Sequence, residues 1–294
     1  MSFQTIPVWF LLACLSSVAL GFQHIYAKKA IEALGVWVSA WVWIATAAIL
    51  LFPLIFVLPI PHVPLSFWGL LVVRIAFDMT ALILYLWAMK SQDVSLVTPV
   101  IAFSPALVYI VSFLVNKESV GPFGVAGIVM TVIGAYWLMM VDVKGKGVFA
   151  PFVALVTNSG TRLMLLTTLI WAGTTSIAKI TIQQTNVWFY IPVATAVFTG
   201  MMLPVVLIAD PKGMRQLISR KSLYAVRVGA IDAVGFGTYI VALQFTQNAL
   251  VTAVRHTSIA IAAVFAWLIL KERIRSRVAP ILVMVAGAVL IAFA

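Results

Sequence analysis

The chain has 294 residues, 64% hydrophobic and only 9% charged, with a mean hydropathy of +1.14 and a formal net charge of +11. A soluble domain carries about 25% charged residues, so this composition cannot cover a water-facing surface and excludes an ordinary soluble protein. The fold class expected is all-α and integral to a membrane, with the lipid bilayer as its solvent.

A spanning helix needs roughly 20 mainly apolar residues, and ten such stretches follow one another along the chain. The first, 8–27, holds the single cysteine, Cys14, and His24. One cysteine permits no disulfide framework, and neither a Cys-x-x-Cys pair nor a Cys/His metal spacing occurs, so no metal or cofactor is expected. The start of the chain lacks a basic segment and a small-residue cleavage site, so the first helix is expected to be retained. The second stretch, 37–58, carries Trp41, Trp43 and an LFPLI string. The third, 66–89, places Arg74, Asp78, Tyr85 and Trp87 at membrane depth. The fourth is 94–115 and the fifth 120–140, the latter rich in small residues at Gly124, Gly127 and Gly134, which read as close helix packing.

The sixth stretch, 163–184, ends near Lys179, and the seventh is 187–209. The eighth, 222–246, carries Arg227, Asp232 and Tyr239; the ninth, 249–270, carries Arg255 and His256; the tenth is 277–294. The expected division is a first five-helix repeat over 1–142, a linker over 143–162 and a second repeat over 163–294.

The basic residues follow the loops. Lys28, Lys29, Lys90, Lys144, Lys146, Arg162, Lys212, Arg215, Arg220, Lys221, Lys271, Arg273, Arg275 and Arg277 fall at alternate connections, on one side of the membrane. Only Lys117 and Lys179 fall on the other. That is a positive-inside distribution and not a nucleic-acid patch; it makes the odd-numbered connections cytoplasmic and puts both termini outside.

The chain also repeats itself at a shift of about 151 to 154 residues. Ala27-Lys28 falls on Ala178-Lys179 and Val36-Trp37 on Val187-Trp188. Asp78 matches Asp232, Tyr85 matches Tyr239, and Leu96-Val97-Thr98 matches Leu250-Val251-Thr252. Lys117-Glu118 matches Lys271-Glu272. Apolar composition alone would generate Leu and Val matches but not the Asp, Trp and Lys-Glu ones, so a duplication is inferred. Five helices per copy is an odd number. The second copy therefore enters the membrane upside down, which gives ten transmembrane helices as two inverted five-helix repeats. Inverted repeats are the architecture of alternating-access carriers, with solute bound near the midplane between the copies.

The strings WAMKSQDVSLVTPVIAFSPALVYIVSFLVNKESVGPFGVAGIVMTVIGAYWL and ALQFTQNALVTAVRHTSIAIAAVFAWLILKERIRSRVAPILVMVAGAVLIAF, with LIWAGTTSIAKI, resemble the drug/metabolite transporter superfamily, EamA type. The resemblance implies export of amino acids, drugs or other metabolites, and ten-helix members are described with both termini cytoplasmic, opposite to the charge bias. Two departures stand out: the first turn, Asn116-Lys117-Glu118-Ser119, lacks the family's Arg, and Arg255-His256 replaces small apolar residues.

Ionised side chains at membrane depth cost several kcal/mol and need a partner or a watery cavity. Asp78 and Asp232, at matched positions, are candidates to bind solute and to carry a coupling proton, as is His256; an internal ion pair with Arg74, four residues before Asp78, is the structural alternative. Arg255 is a candidate for a solute carboxylate, or for neutralising Asp232. Tyr85 and Tyr239 lie seven residues after the paired aspartates, on the same helix face, and are candidates for the pocket. His24, Lys28 and Lys179 complete the candidate solute-binding set, although helix-end lysines commonly reach for head groups.

The function expected is a secondary transporter, and an exporter, of a small solute across the inner (plasma) membrane, as a monomer or homodimer. No Walker or Rossmann motif suggests nucleotide drive, and protons are the expected coupling partner. A passive facilitator is the alternative. An enzyme is not expected, because a membrane enzyme acting on lipid or prenyl substrates would need clustered carboxylates that the sequence lacks.

Overall fold

The computed structural model describes residues 7–91, 100–142, 158–215, 217, 222–261, 264 and 276–294, and these contain helices and turns but no strand. The helices are α1 (Val8–Leu34), α2 (Val36–Leu51, continued by a 3-10 turn at Phe52–Phe56), α3 (Leu65–Ser91), α4 (Ser104–Asn116) and α5 (Pro122–Asp142) in the first half. The second half has α6 (Ser159–Gln183), α7 (Val187–Ala209), a four-residue helix at Pro211–Met214, α8 (Leu223–Leu243), α9 (Asn248–Arg255) and α10 (Val278–Ala292).

Local chemistry sets the boundaries. Gly35, at φ 75°, takes a conformation that side chains disfavour and turns the chain sharply from α1 into α2. α1 thereby runs past the expected end at 27, and Lys28 and Lys29 sit on the helix and not in a loop. Asn158 caps α6 by accepting from the N–H groups of Gly160 and Thr161 at 2.9 and 3.4 Å, so that helix begins inside the stretch expected to be linker. Asn186 caps α7 in the same way, through Phe189 N–H at 2.9 Å.

Five helical segments are long and apolar enough to cross a membrane: Val36–Phe56, Leu65–Ser91, Ser159–Gln183, Val187–Ala209 and Leu223–Leu243. α1, whose arms Val8–Gln23 and Tyr26–Leu34 meet at 42°, makes a further span if counted as one. Ser104–Asn116, Pro122–Leu138 and Val278–Ala292 are shorter apolar helices. The remainder of the expected fourth and ninth helices, at 94–99 and over most of 262–270, lies outside the described residues.

The helices pair across the two halves. α1 packs along α8, and α3 along α6, which is one arrangement written twice if α1 corresponds to α6 and α3 to α8. α2 packs on α7, and α5 on α10, as each would on its own counterpart. Bonds along the α1–α8 seam fix the sense as antiparallel: Ser16 Oγ donates to Gly235 O at 2.6 Å, and Gln23 Nε2 to Asp232 Oδ1 at 2.9 Å. The two-repeat layout read from the sequence fits this exchange of partners.

Both halves also break a helix at the same place. Helical residues 100–101 are separated from α4 by Ala102-Phe103, and α9 is separated from helical residues 258–261 by His256-Thr257. The two breaks are 154 residues apart, the shift of the repeat. Pro105 lies in the first turn of α4, and the second break is tied to α1 by a 2.9 Å bond between the Ser17 and Thr257 hydroxyls. Paired interruptions at corresponding positions are where inverted-repeat carriers build their solute sites.

α5 and α10 pack almost backbone to backbone. A Cβ on Gly127 would come within 2.7 Å of Gly287 O, and one on Gly287 within 2.8 Å of Gly127 O, while one on Gly134 would meet Met284 N at 2.9 Å. Neither helix contributes to the central cavity. Gly127→Leu is therefore expected to cost roughly 1–3 kcal/mol by overpacking, seen as a lower melting temperature in detergent, without changing solute affinity in the folded fraction.

Candidate functional site

Two large apolar clusters fill the interior. One gathers Leu71, Ile75, Tyr190, Leu243, Leu250 and Val254, and the other Leu34, Trp43, Leu86, Met164, Met202 and Val228. Between them lies a cavity of about 210 Å³. It is walled by α1, α2, α3, α6, α7 and α8 and by the residues on either side of both helix breaks: Ile101, Ser104 and Val108 in one half, Thr252, Arg255 and His256 in the other. α2 and α7 contribute Trp43, Ile44, Ala194, Thr195 and Phe198.

The wall supplied by α3 carries a closed ion pair. Arg74 Nη2 lies 2.8 Å from Asp78 Oδ2, one helical turn away, and Arg74 Nη1 also donates to the Tyr190 hydroxyl. The guanidinium sits 5.6 Å from the Tyr190 ring centroid and 6.0 Å from that of Phe236. Arg74 and Asp78 are only 8% and 7% exposed. In so apolar a setting neither charge is tolerable without the other.

The opposite wall holds its charges differently. Asp232, 8% exposed, accepts from Gln23 Nε2, and the Trp43 indole N–H is turned toward it without closing a hydrogen bond. Arg255 acts on Asp232 through space but makes no ion pair with it within 4.0 Å among the described residues. Its guanidinium lies instead over the Tyr239 ring, 4.4 Å from the centroid, with Nε lacking a hydrogen-bond partner. Tyr239 is fixed by a 3.1 Å bond between its hydroxyl and that of Thr252. Tyr85 packs against Trp171, ring centroids 5.5 Å apart, and forms an aromatic wall nearby. The matched aspartates therefore meet different fates: Asp78 is consumed by an ion pair, while Asp232 and Arg255 face the cavity unbridged.

Of the residues singled out in the sequence, Asp78, Tyr85, Asp232, Tyr239, Arg255 and His256 come together around this cavity. Lys28 is exposed on α1, away from the lining. Lys179 is also outside the lining and is taken up by Glu118 and the Thr246 carbonyl. His24 lies on α1, with its side chain outside the described residues, as is the Lys271-Glu272 pair. Arg227 lies near the rings of Tyr26 and Tyr224, at 5.9 and 5.8 Å from their centroids. Sequence reasoning missed Gln23, Trp171, Thr174 and Thr175, which are ordinary polar and aromatic residues with no charge to flag them.

The two charge arrangements predict opposite mutational behaviour on α3. Arg74→Met alone leaves a buried carboxylate unpaired and is expected to destabilise the fold by about 3–5 kcal/mol. Arg74→Met combined with Asp78→Leu removes both charges and should recover most of that loss. Melting temperatures of the purified variants check the pair.

The EamA-like transporter family matches the chain over residues 7–140 and 158–293, once in each half. No curated protein matches. Among solved structures, one titled only "Crystal structure of protein" is similar over 96% of this chain and 94% of its own, with a TM-score of 0.67 and 14% identity, a likeness of fold.

Proposed function

The chain belongs to the EamA-like transporter family, and on that premise we propose that it is a secondary transporter, an exporter, that binds a small solute in the central cavity and carries it by alternating access of two inverted repeats. The observation that carries this reading is the cavity itself: it lies between the halves, at both matched helix breaks, and holds charges that the protein leaves unbridged. ATP drive has no motif to support it. The one-sided basic distribution fits the inner membrane of a cell, with ten crossings and the termini outside.

The unbridged pair suggests how solute is held. Arg255 offers a guanidinium with a free Nε–H to a carboxylate or other anionic group, and Asp232 offers a carboxylate to an ammonium or hydrogen-bond donor. A small dipolar solute such as an amino acid satisfies both at once, and Tyr85, Trp171 and Tyr239 supply aromatic faces for its side chain. A solute lacking either charge leaves a buried group unpaired, which is the costly outcome. Asp232 is also the aspartate assigned to the coupling proton, because it makes no ion pair among the described residues, whereas Asp78 is bridged to Arg74 at 2.8 Å. Proton entry would neutralise Asp232 and weaken its hold on a cationic group, which couples release to the proton gradient.

A panel of amino acids, organic cations and neutral metabolites, tested for uptake and efflux in proteoliposomes at two pH gradients, checks the proposal. Arg255→Gln is expected to weaken apparent affinity for carboxylate-bearing solutes roughly 10- to 100-fold, the worth of a hydrogen bond to a charged group. Asp232→Asn is expected to retain exchange but to lose its response to the pH gradient. Transport indifferent to an imposed pH gradient and to both substitutions would sink the assignment of roles.

A further inference from the structure

Outside the cavity, the described residues hold one more ion pair, partly buried. Lys179 Nζ, on α6, lies 2.5 Å from Glu118 Oε1, and the two side chains are 15% and 11% exposed. The same ammonium donates to the Thr246 carbonyl at 2.6 Å, and Glu118 Oε2 accepts from the Asn248 N–H at 2.8 Å. The group thus ties the turn after α4, in the first half, to α6, to the end of α8 and to the start of α9, all in the second. Lys117 takes a left-handed φ of 57°, unusual for a side-chain-bearing residue, and this turns Glu118 back so that its N–H reaches Ser112 O at 3.3 Å.

We propose that Glu118, Lys179 and Asn248 form an ionic latch that closes one end of the cavity and parts when that end opens. Two observations support it. First, the residues just inside the latch, Ala249–Val254 of α9, are buried in an apolar cluster with Leu71, Ile75 and Tyr190, so the latch pins a plug. Second, α9 is only eight residues long: Asn248 at one end is held by the latch, and Arg255 at the other faces the solute cavity before the break at His256-Thr257. A displacement of this segment moves the latch and the solute handle together. By the charge bias, the latched end is the outer one.

The latch rests on the alternating-access reading, and its test has a readout that needs no transport. Thr175 lines the cavity one helical turn from Lys179. In a Cys14→Ala background, Thr175→Cys would be labelled with a membrane-impermeant thiol reagent in right-side-out and in inverted vesicles. Combining Glu118→Gln with Lys179→Met removes both charges, so no lone buried charge is left to unfold the chain. Labelling from the latched side is expected to quicken by roughly tenfold, as loss of an interaction made in only one state shifts the equilibrium to the other.

Unchanged labelling in the neutral pair would overturn the latch. So would a neutral pair that fails to fold, since that would make the contact a scaffold. Solute uptake measured in the same vesicles separates the two readings: uptake without a latch effect leaves the carrier standing and removes the latch. A latch effect with no uptake across the panel removes the carrier and leaves a gated cavity.

Discussion

A charged side chain at membrane depth has to be held by another group, because hydrocarbon supplies no solvation in its place. This constraint organises the centre of the protein. Arg74 answers Asp78 one turn along the same helix, and Tyr190 takes a further guanidinium N–H. Lys179 on α6 and Glu118 in the turn after α4 answer each other across the halves. Asp232 receives an amide N–H from Gln23 on α1, and Arg255 rests on the Tyr239 ring. Only the last two stop short of an ion pair, and they stop short at the wall of the cavity. The incomplete pairing is the physical reason to place a solute there.

The architecture makes that incompleteness possible. Pairing α1 with α8 and α3 with α6 interleaves the halves, so each wall of the cavity combines helices from both. The breaks at Ala102-Phe103 and His256-Thr257 interrupt continuous helices where they meet the cavity. A continuous helix would carry its side chains past the site in a fixed register. An interrupted one can set Arg255 against Tyr239 and still leave the eight-residue segment before it able to move as a unit. By contrast, α5 and α10 are locked by glycine contacts and stand away from the cavity.

Much of this was legible in the sequence, for reasons that can be named. Hydropathy places lipid around the chain, and the Asp78/Asp232 and Tyr85/Tyr239 matches locate the cavity because polar residues in hydrocarbon are too costly to be incidental. The small residues of α5 announce their packing. The sequence offered a partner for Asp78, since Arg74 precedes it by four residues, but could not show that Gln23, on another helix 209 residues away, answers Asp232. It could not reveal that Lys179 belongs to a latch, because its partner Glu118 sits in a turn with no sequence neighbour to suggest the meeting. Helix lengths erred where a cap decides them: Gly35 lets α1 run on past Lys28, and Asn158 starts α6 early. The contribution of α2 and α7 was harder to see because their lining residues carry no charge.

The central claim is that solute bound in this cavity is carried across, one face at a time, and does not flow through an open path. Counterflow measures this directly. Proteoliposomes loaded with unlabelled solute are diluted into medium holding a trace of the labelled form, with no ion gradient imposed. A carrier with a single alternating site accumulates label transiently above its outside concentration, because outward-moving solute returns the loaded site to the outer face. The account predicts that overshoot, and predicts its loss when Arg255 is replaced by Gln at the same trace concentration. Label that rises smoothly to equal concentrations without overshoot, at a rate that does not saturate, would contradict it and make the protein a channel.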